Sequence, residues 1–320
     1  MTHGKGKVMF ASMLGRSAFD RAENIKTLYD AYQGEKTAML YRDPAFPNEI
    51  MNGEYSLMVV DSFPTFHPVK TTMIWHAIQG GKFSGLHQPA DLTYKPEHAA
   101  YMDWVISSGG GGIDILSDYT GVPEERILNL GLPRTDRYIG KKKGDGGTFL
   151  AGKRAYFYAP TCRCRFEPQL PPVNWGYIDD QLTDDEILIV KPHPYGKPFR
   201  LGLHRHIKEA PAMEPSVNYL YDCDVVITDY SSIMFDAYLL NKPVVLFDKD
   251  QGSYNIVRGM YLSYPEDYCS RYATNERDLV RLLREADGLT ATERVVINEM
   301  ADACDGHSCE RICELIERER

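Results

Sequence analysis

Asp224-Val225-Val226-Ile227-Thr228-Asp229-Tyr230-Ser231-Ser232-Ile233-Met234-Phe235-Asp236 reads as a buried strand running straight into a helix. Val225 to Ile227 are continuous and β-branched, the composition of a strand covered on both faces. Ser231 or Ser232 can cap the helix, and the apolar run from Ile233 to Leu240 carries it on. Asn241 suits its C-terminal end, Pro243 stops it, and Val244-Val245-Leu246-Phe247 is the next strand. The first N–H groups of such a helix lack internal partners, and two hydroxyls beside them suit a phosphate. An ordinary capped helix fits the same letters, so its neighbours have to decide.

The same alternation runs outward in both directions. Upstream, strands are expected at Val8 to Ser12, Ala38 to Tyr41, Leu57 to Asp61, Thr72 to Trp75, Trp104 to Ser107 and Ile127 to Leu130. Helices are expected near Phe19 to Tyr32 and Gly112 to Thr120. Around Arg137 to Gly152 glycines and three consecutive lysines replace the apolar rhythm, as in an interdomain linker. It restarts at Ala155 to Tyr158 and Ile187 to Val190. The tail reads as helices at Asp278 to Ala286 and Ala291 to Glu319, with a break near Asp305-Gly306. The expected fold class is α/β, two doubly wound parallel-sheet domains facing a cleft. The expected boundaries are 1–140, a linker at 141–153, and 154–320, whose last helices can return to the first domain.

Composition narrows the function classes. The 320 residues are 43% hydrophobic and 25% charged, as in globular proteins. The net charge of −9 argues against a general nucleic-acid binder. No apolar run has the length of a membrane span, and Val8-Met9-Phe10-Ala11 is too short for a secretory signal core, so the expected location is the cytoplasm. Seven cysteines at irregular spacing, without a CxxC pair, make a disulfide framework a poor reading. Lys141-Lys142-Lys143 reads as solvated linker. Lys197, Arg200, His204, Arg205, His206 and Lys208 form a second basic stretch, a candidate contact for an anionic acceptor or lipid headgroups.

Ligands of open parallel sheets bind beyond the carboxyl ends of the strands, so those positions carry the argument. His76 follows the strand at Thr72, ahead of Gly80, Gly81 and Lys82, and can take a proton near neutral pH; a structural histidine beside Trp75 is the alternative. Gly131-Leu132-Pro133-Arg134-Thr135-Asp136 follows the strand at Ile127, with Arg134 a candidate cation and an Arg134–Asp136 structural pair the alternative. Thr161 and Arg163 follow Tyr158. Lys191 and a proline-flanked His193 follow Val190. With Ser231 and Ser232, three strand ends of the second domain present cations, an imidazole and a helix start, which suits a phosphorylated ligand.

These residues also resemble a family. TDYSSIMFD followed by LLNKPVVLF is similar to the signature of the CDP-glycerol:poly(glycerophosphate) glycerophosphotransferases, the teichoic-acid primases and polymerases and their capsule-polymer relatives. WHAIQGGKFSG, GLPRTD, YAPTCR, KPHP, RGMYLSY and DGHSCER resemble further segments in the family's order. The resemblance implies a GT-B-like architecture and a CDP-alditol donor held by the C-terminal domain. No carboxylate cluster in the sequence demands a metal, so transfer without metal or cofactor is expected. An acceptor hydroxyl, on a polyol-phosphate or glycan that can be lipid-linked, would attack the β-phosphorus and release CMP. His76 would be the general base. His193, Arg163, Ser231 and Ser232 would hold the donor phosphates, and Arg134 and Asp136 would line the cleft. Lys82, Thr161, Lys191 and Asp229 complete the implied substrate-binding set. Any membrane docking would be peripheral, at the inner face of the cell membrane. A nucleotide-sugar glycosyltransferase, a UDP-N-acetylglucosamine epimerase and a non-catalytic assembly subunit are the other readings of the same scaffold. Retention of both His76 and His193 argues against the last.

Overall fold

The computed structural model describes residues 6–12, 23–40, 43–52, 54–61, 69–74, 78, 99–148, 150, 152–161, 163, 170–193, 201–211, 214–257 and 260–320. Their contacts divide the chain into two compact units. The first gathers residues of Met1–Gln79, Thr93–Ile139 and Glu299–Arg320; the second gathers those of Gly140–Asn298.

The first unit contains β1 (Lys7–Ser12), α1 (Glu23–Ala31), β2 (Lys36–Leu40), α2 (Phe46–Asn52), β3 (Tyr55–Val60), β4 (Lys70–Ile74), β5 (Trp104–Ser107), α3 (Ile113–Thr120) and β6 (Ile127–Asn129). Its six strands are all parallel, in the order β2-β1-β3-β4-β5-β6. Side chains alternate across the pleat. Met9, Ala11, Met58, Val60, Met73 and Val105 pack with Phe46 and Ile50 of α2 and Leu116 of α3 in one core. On the other side of β1, Phe10 meets Tyr29 of α1 edge-on at 5.5 Å. Both faces are covered, which is why these strands read as unbroken apolar runs.

The second unit contains β7 (Arg154–Tyr158), α4 (Trp175–Gln181), β8 (Glu186–Val190), β9 (Ile207–Glu209), α5 (Ser216–Asp222), β10 (Val225–Thr228), α6 (Ile233–Leu239), β11 (Val244–Phe247), α7 (Gln251–Val257), β12 (Tyr272–Ala273) and α8 (Glu276–Glu285). Helix α9 (Ala291–Met300) follows, and α10 (Ser308–Glu319) belongs to the first unit. The strand order is β12-β11-β10-β7-β8-β9, again all parallel. Tyr156, Tyr158, Leu188, Val190, Val225, Ile227, Val245 and Phe247 point to one face, against Ile178 of α4 and Leu279 and Leu283 of α8. Each such aliphatic side chain contributes roughly 1.5–3 kcal/mol by leaving water. On the opposite face Phe157 stacks on Tyr219 of α5 at 5.3 Å.

In both sheets the order reverses once. In the second unit the chain builds β7, β8, β9 to one side, then returns to lay β10, β11, β12 on the other. The reversal falls between β7 and β10, which is where open α/β sheets take ligands.

Several elements differ from the sequence reading. The strands β9 and β12, three and two residues long, and the seven-residue α2, which contains Pro47, are too short to show a period. The glycine-rich segment is not loose linker. The N–H groups of Gly144, Gly146 and Thr148 and the Thr148 hydroxyl all donate to the carboxylate of Asp222 at the end of α5. Burial works against that charge, but these four donors prevail and hold Asp222 below the usual carboxylate range. Lys143 pairs with Asp224 at 2.6 Å. The second basic stretch is likewise compensated where it is described. Arg205 pairs with Asp184 at 2.7 Å, and His206 lies 3.5 Å from Asp179 and 3.1 Å from Asp184.

Candidate functional site

The stretch that decided the fold forms β10, a short connection and α6. Asn241 ends α6 in the left-handed region at φ 54°. Its N–H donates to Tyr238 O and that of Lys242 to Ala237 O, the hydrogen-bond pair of a Schellman cap. At the other end Ser232 stands at the N-cap position with helical backbone angles and makes no side-chain cap bond. The Ser231 hydroxyl accepts the Ile233 N–H at 3.4 Å. Both serines are half-buried, so their hydroxyls are not sealed in the core.

Asp229 locks the connection before them. Its Oδ1 accepts the N–H of Thr161 and of Tyr230, each at 2.7 Å. This ties the segment after β10 to the segment after β7, across the point of strand reversal. The Asp229 Oδ2 lies 3.0 Å from Nη2 of Arg163, and the same nitrogen lies 3.1 Å from Asp250 Oδ2. Asp250 follows β11, so one guanidinium joins three neighbouring strand ends. The Tyr230 hydroxyl donates to Asp250 Oδ1 at 3.0 Å. The rings of Tyr230 and Tyr254 stack at 3.9 Å and 9°, and the Arg163 guanidinium lies over both, 5.3 and 4.7 Å from their centres.

The electrostatics follow from burial. The Arg163 side chain is 5% exposed. Burial works against its charge, but Asp229 and Asp250 outweigh it and raise the guanidinium's pKa above its ordinary value. Burial pushes the Asp250 carboxyl up, and the charges of Asp229 and Asp248 add to that while Arg163 opposes it. The Nε and Nη1 of Arg163 and the Thr161 hydroxyl are buried and make no hydrogen bond among the described residues. The pocket lined by Tyr158, Arg163, Asp229, Asp248 and Asp250 measures ≈ 10 Å³, room for about one water. A diphosphate does not fit there. Ser231, Ser232 and His193, at the same strand ends, are half-buried.

His193 follows β8 two residues after Lys191. The Lys191 side chain is buried, and its N–H donates to Tyr158 O, which holds this strand end against β7. The sequence candidates of the second unit are therefore brought to three adjacent strand ends, β8, β7 and β10. His76 and Lys82 lie outside the described residues.

In the first unit the candidates have structural partners. Residues Pro133–Tyr138 form a 3-10 helix after β6. The Asp136 carboxylate accepts the N–H of Ser308 at 3.0 Å and of Cys309 at 2.7 Å. These are first-turn donors of α10, so Asp136 serves as that helix's anionic cap. Burial and then this carboxylate push the Cys309 thiol up. The Arg134 side chain is buried, and its N–H donates to Asn24 of α1. A Cβ on Gly131, at φ 82°, would stand 2.2 Å from Ala303 O, so only glycine permits this approach. GLPRTD and DGHSCER, far apart in sequence, thus form one structural joint.

The sequence reading missed Asp248, Asp250, Tyr254 and Tyr264. The Tyr264 hydroxyl donates to Asp248 Oδ2 at 2.8 Å. The available signal was Asp248-Lys249-Asp250, which directly follows Phe247 and so lies at the same edge as the other candidates. Among the described residues no group of three or more His, Cys, Asp or Glu is arranged to hold a metal, and no helix is long and apolar enough to cross a membrane.

Residues 56–318 match the family model described as CDP-Glycerol:Poly(glycerophosphate) glycerophosphotransferase. A teichoic acid poly(ribitol-phosphate) polymerase of Bacillus spizizenii is 24% identical over 311 residues, covering 86% of this chain and 49% of that protein. A teichoic acid glycerol-phosphate primase of Bacillus subtilis is 25% identical over 265 residues, covering 78% of this chain and 68% of that protein. The chain spans about half the length of the first of these. The structure of the wall teichoic acid polymerase TagF superposes with a TM-score of 0.75 at 19% identity, covering 98% of this chain and 88% of that one. A TagF variant soaked with CDPG gives 0.74 at 18% identity. At such identities the likeness shows the fold, two parallel α/β sheets in a GT-B-like arrangement of the chain.

Proposed function

The chain belongs to the CDP-glycerol:poly(glycerophosphate) glycerophosphotransferase family, and from that premise we propose that it transfers glycerol phosphate, or a related alditol phosphate, from a CDP-alditol to an acceptor hydroxyl. The acceptor oxygen forms a bond to the β-phosphorus, the bond from that phosphorus to the bridging oxygen breaks, and CMP leaves with that oxygen. His76 takes the acceptor's proton. His193, Ser231 and Ser232 hold and polarise the diphosphate. Such transfer depends on in-line positioning and charge stabilisation, and one base near the nucleophile contributes roughly 10²–10⁴-fold. The product belongs to a teichoic-acid-like or capsular polymer, built in the cytoplasm on a polyol-phosphate or glycan acceptor, at the inner membrane face where that acceptor is lipid-linked.

One observation carries the reading. The family match spans the segment in which the second sheet reverses its strand order. At that reversal Ser231 and Ser232 follow β10 after only Asp229 and Tyr230, next to the strand ends that carry Thr161 and His193. Arg163 enters differently from its first reading: with two carboxylates on its guanidinium, it supports the edge from below and does not grip the phosphates.

The test is mass spectrometry of products from CDP-glycerol and CDP-ribitol with polyol-phosphate and glycan acceptors. CMP release with an acceptor heavier by one alditol phosphate is expected, and His76→Ala lowers the rate about 10²–10⁴-fold. Protein that stays folded and is stabilised by UDP- or GDP-linked sugars but by no CDP-alditol would overturn the reading.

A further inference from the structure

The mechanism leaves the Asp250 carboxylate without a duty. Among the described residues no hydrogen bond joins Asp250 to either serine, yet its side chain is only 7% exposed. It accepts two groups from different strand ends. One is Nη2 of Arg163, from the segment after β7, at 3.2 Å from Oδ1 and 3.1 Å from Oδ2. The other is the Tyr230 hydroxyl, from the segment after β10, at 3.0 Å. Tyr230 is the residue before Ser231. Its ring is fully buried and stacked on Tyr254 of α7, and α7 begins at the residue after Asp250. The backbone that enters Ser231 is therefore held at three points: by Asp229 through N–H groups, by the stacked ring, and by the Tyr230 hydroxyl on Asp250. The first keeps β10 against β7; the other two fix β10 against the segment after β11.

We propose that Asp250 is a positioning residue for donor binding, fixing Ser231 and Ser232 through Tyr230 and Arg163. This rests on the donor-site reading of the two serines given above. Its physical basis is preorganisation. Two serines aimed at a diphosphate help only if their backbone is already in place when the ligand arrives, because ordering it on binding subtracts from affinity. A rigid tyrosine with its hydroxyl anchored on a carboxylate meets that need, and a buried carboxylate is held in one place by its two donors. The neighbouring Asp248 has a separate partner in Tyr264, so it does not substitute for Asp250.

The experiment uses the full chain with Asp250→Ala, Asp250→Asn and Tyr230→Phe, each checked for folding by thermal melt. CDP-glycerol is varied at saturating acceptor, then acceptor at saturating donor. Hydrogen exchange is followed over residues 229–236. Asp250→Ala is expected to raise the donor KM at least tenfold, with kcat within threefold and acceptor KM within twofold. Exchange over 229–236 should rise at least tenfold while β8 and β9 keep their protection. Asp250→Asn, which can still accept the tyrosine proton, should give a smaller donor KM change. If Asp250→Ala does not fold, Tyr230→Phe removes only the hydroxyl and should raise donor KM by threefold or more. Folded variants with unchanged donor KM overturn the proposal. So do variants in which donor KM, acceptor KM and exchange throughout the unit all change together, since that is general loosening. If the wild-type chain turns over no CDP-alditol, the functional reading fails, while local exchange over 229–236 still decides whether Asp250 orders that segment.

Discussion

Asp136 and Asp229 look alike in the sequence. Each follows a parallel strand, each stands near an arginine, and each belongs to a segment that resembles a family motif. Asp136 lies beyond β6, an edge strand of its sheet, and caps α10 with both oxygens. Asp229 lies beyond β10, beside the strand reversal, and joins two segments there while holding Arg163. The carboxyl end of a strand is thus not by itself a ligand site. The reversal matters because crossovers there leave to opposite faces and open a crevice between them. At a sheet's edge the same residue type is free to serve packing.

This contrast can be broken most severely at Asp229. Asp229→Ala removes the acceptor of two N–H groups and leaves buried Arg163 with one carboxylate. It should cost about 3–5 kcal/mol of stability and, in the protein that remains folded, reduce turnover by about 10²-fold. Denaturant melts and initial rates together check it. A third carboxylate, Glu186, sharpens the comparison because it stands at the start of β8, the end of the sheet opposite the site. Burial disfavours its charge, but donors from Tyr156, the Thr183 N–H and Arg284 outweigh this, and its pKa falls to about 2. A carboxylate depressed below its unfolded value of 4.5 stabilises the fold above that pH, and the contribution is lost as pH falls toward 2. The contribution is about 3 kcal/mol at most. Glu186→Gln should flatten acid unfolding between about pH 4.5 and 2 and leave turnover at neutral pH within twofold.

Asp136→Ala should act on stability alone. Losing an anionic helix cap with two N–H donors costs about 2 kcal/mol, a Tm drop of roughly 2–6 °C, with kcat/KM of the folded enzyme within twofold. A tenfold rise in acceptor KM without a change in Tm would return Asp136 to the substrate. The smallest effect is expected from chelation. Arg163 already occupies the position between Asp229 and Asp250 where a cation would sit, so initial rates in 5–10 mM EDTA, a range set by about the millimolar scale of weak divalent sites, should match the untreated enzyme.

Much of this architecture is written in the sequence as unbroken β-branched and aromatic runs, because parallel strands covered on both faces need apolar residues at every position. β10, β11, β7 and β8 were legible for that reason, and the turn at Asn241 because few other residues accept φ 54°. β9 and β12 were not, since their few residues carry no period. The site was legible only in part. Ser231, Ser232 and His193 stand where a strand followed by small or proline-flanked residues must put them. The pairing of Arg163 was not readable, because it depends on Asp250, which lies 87 residues later in the chain. Nor was that of Asp136, whose partner helix begins 172 residues away. Spacing shows which residues reach a sheet edge; partners brought there from other strands decide what they do.

The central claim is that the edge at Ser231 and Ser232 holds the donor diphosphate. Calorimetric titration of CDP-glycerol into the wild-type chain and into the double variant Ser231→Ala, Ser232→Ala tests it most directly. Saturable one-to-one binding to the wild type is predicted, with affinity at least tenfold weaker in the folded double variant, about 1.4 kcal/mol or more. Equal affinity in the two proteins would contradict it.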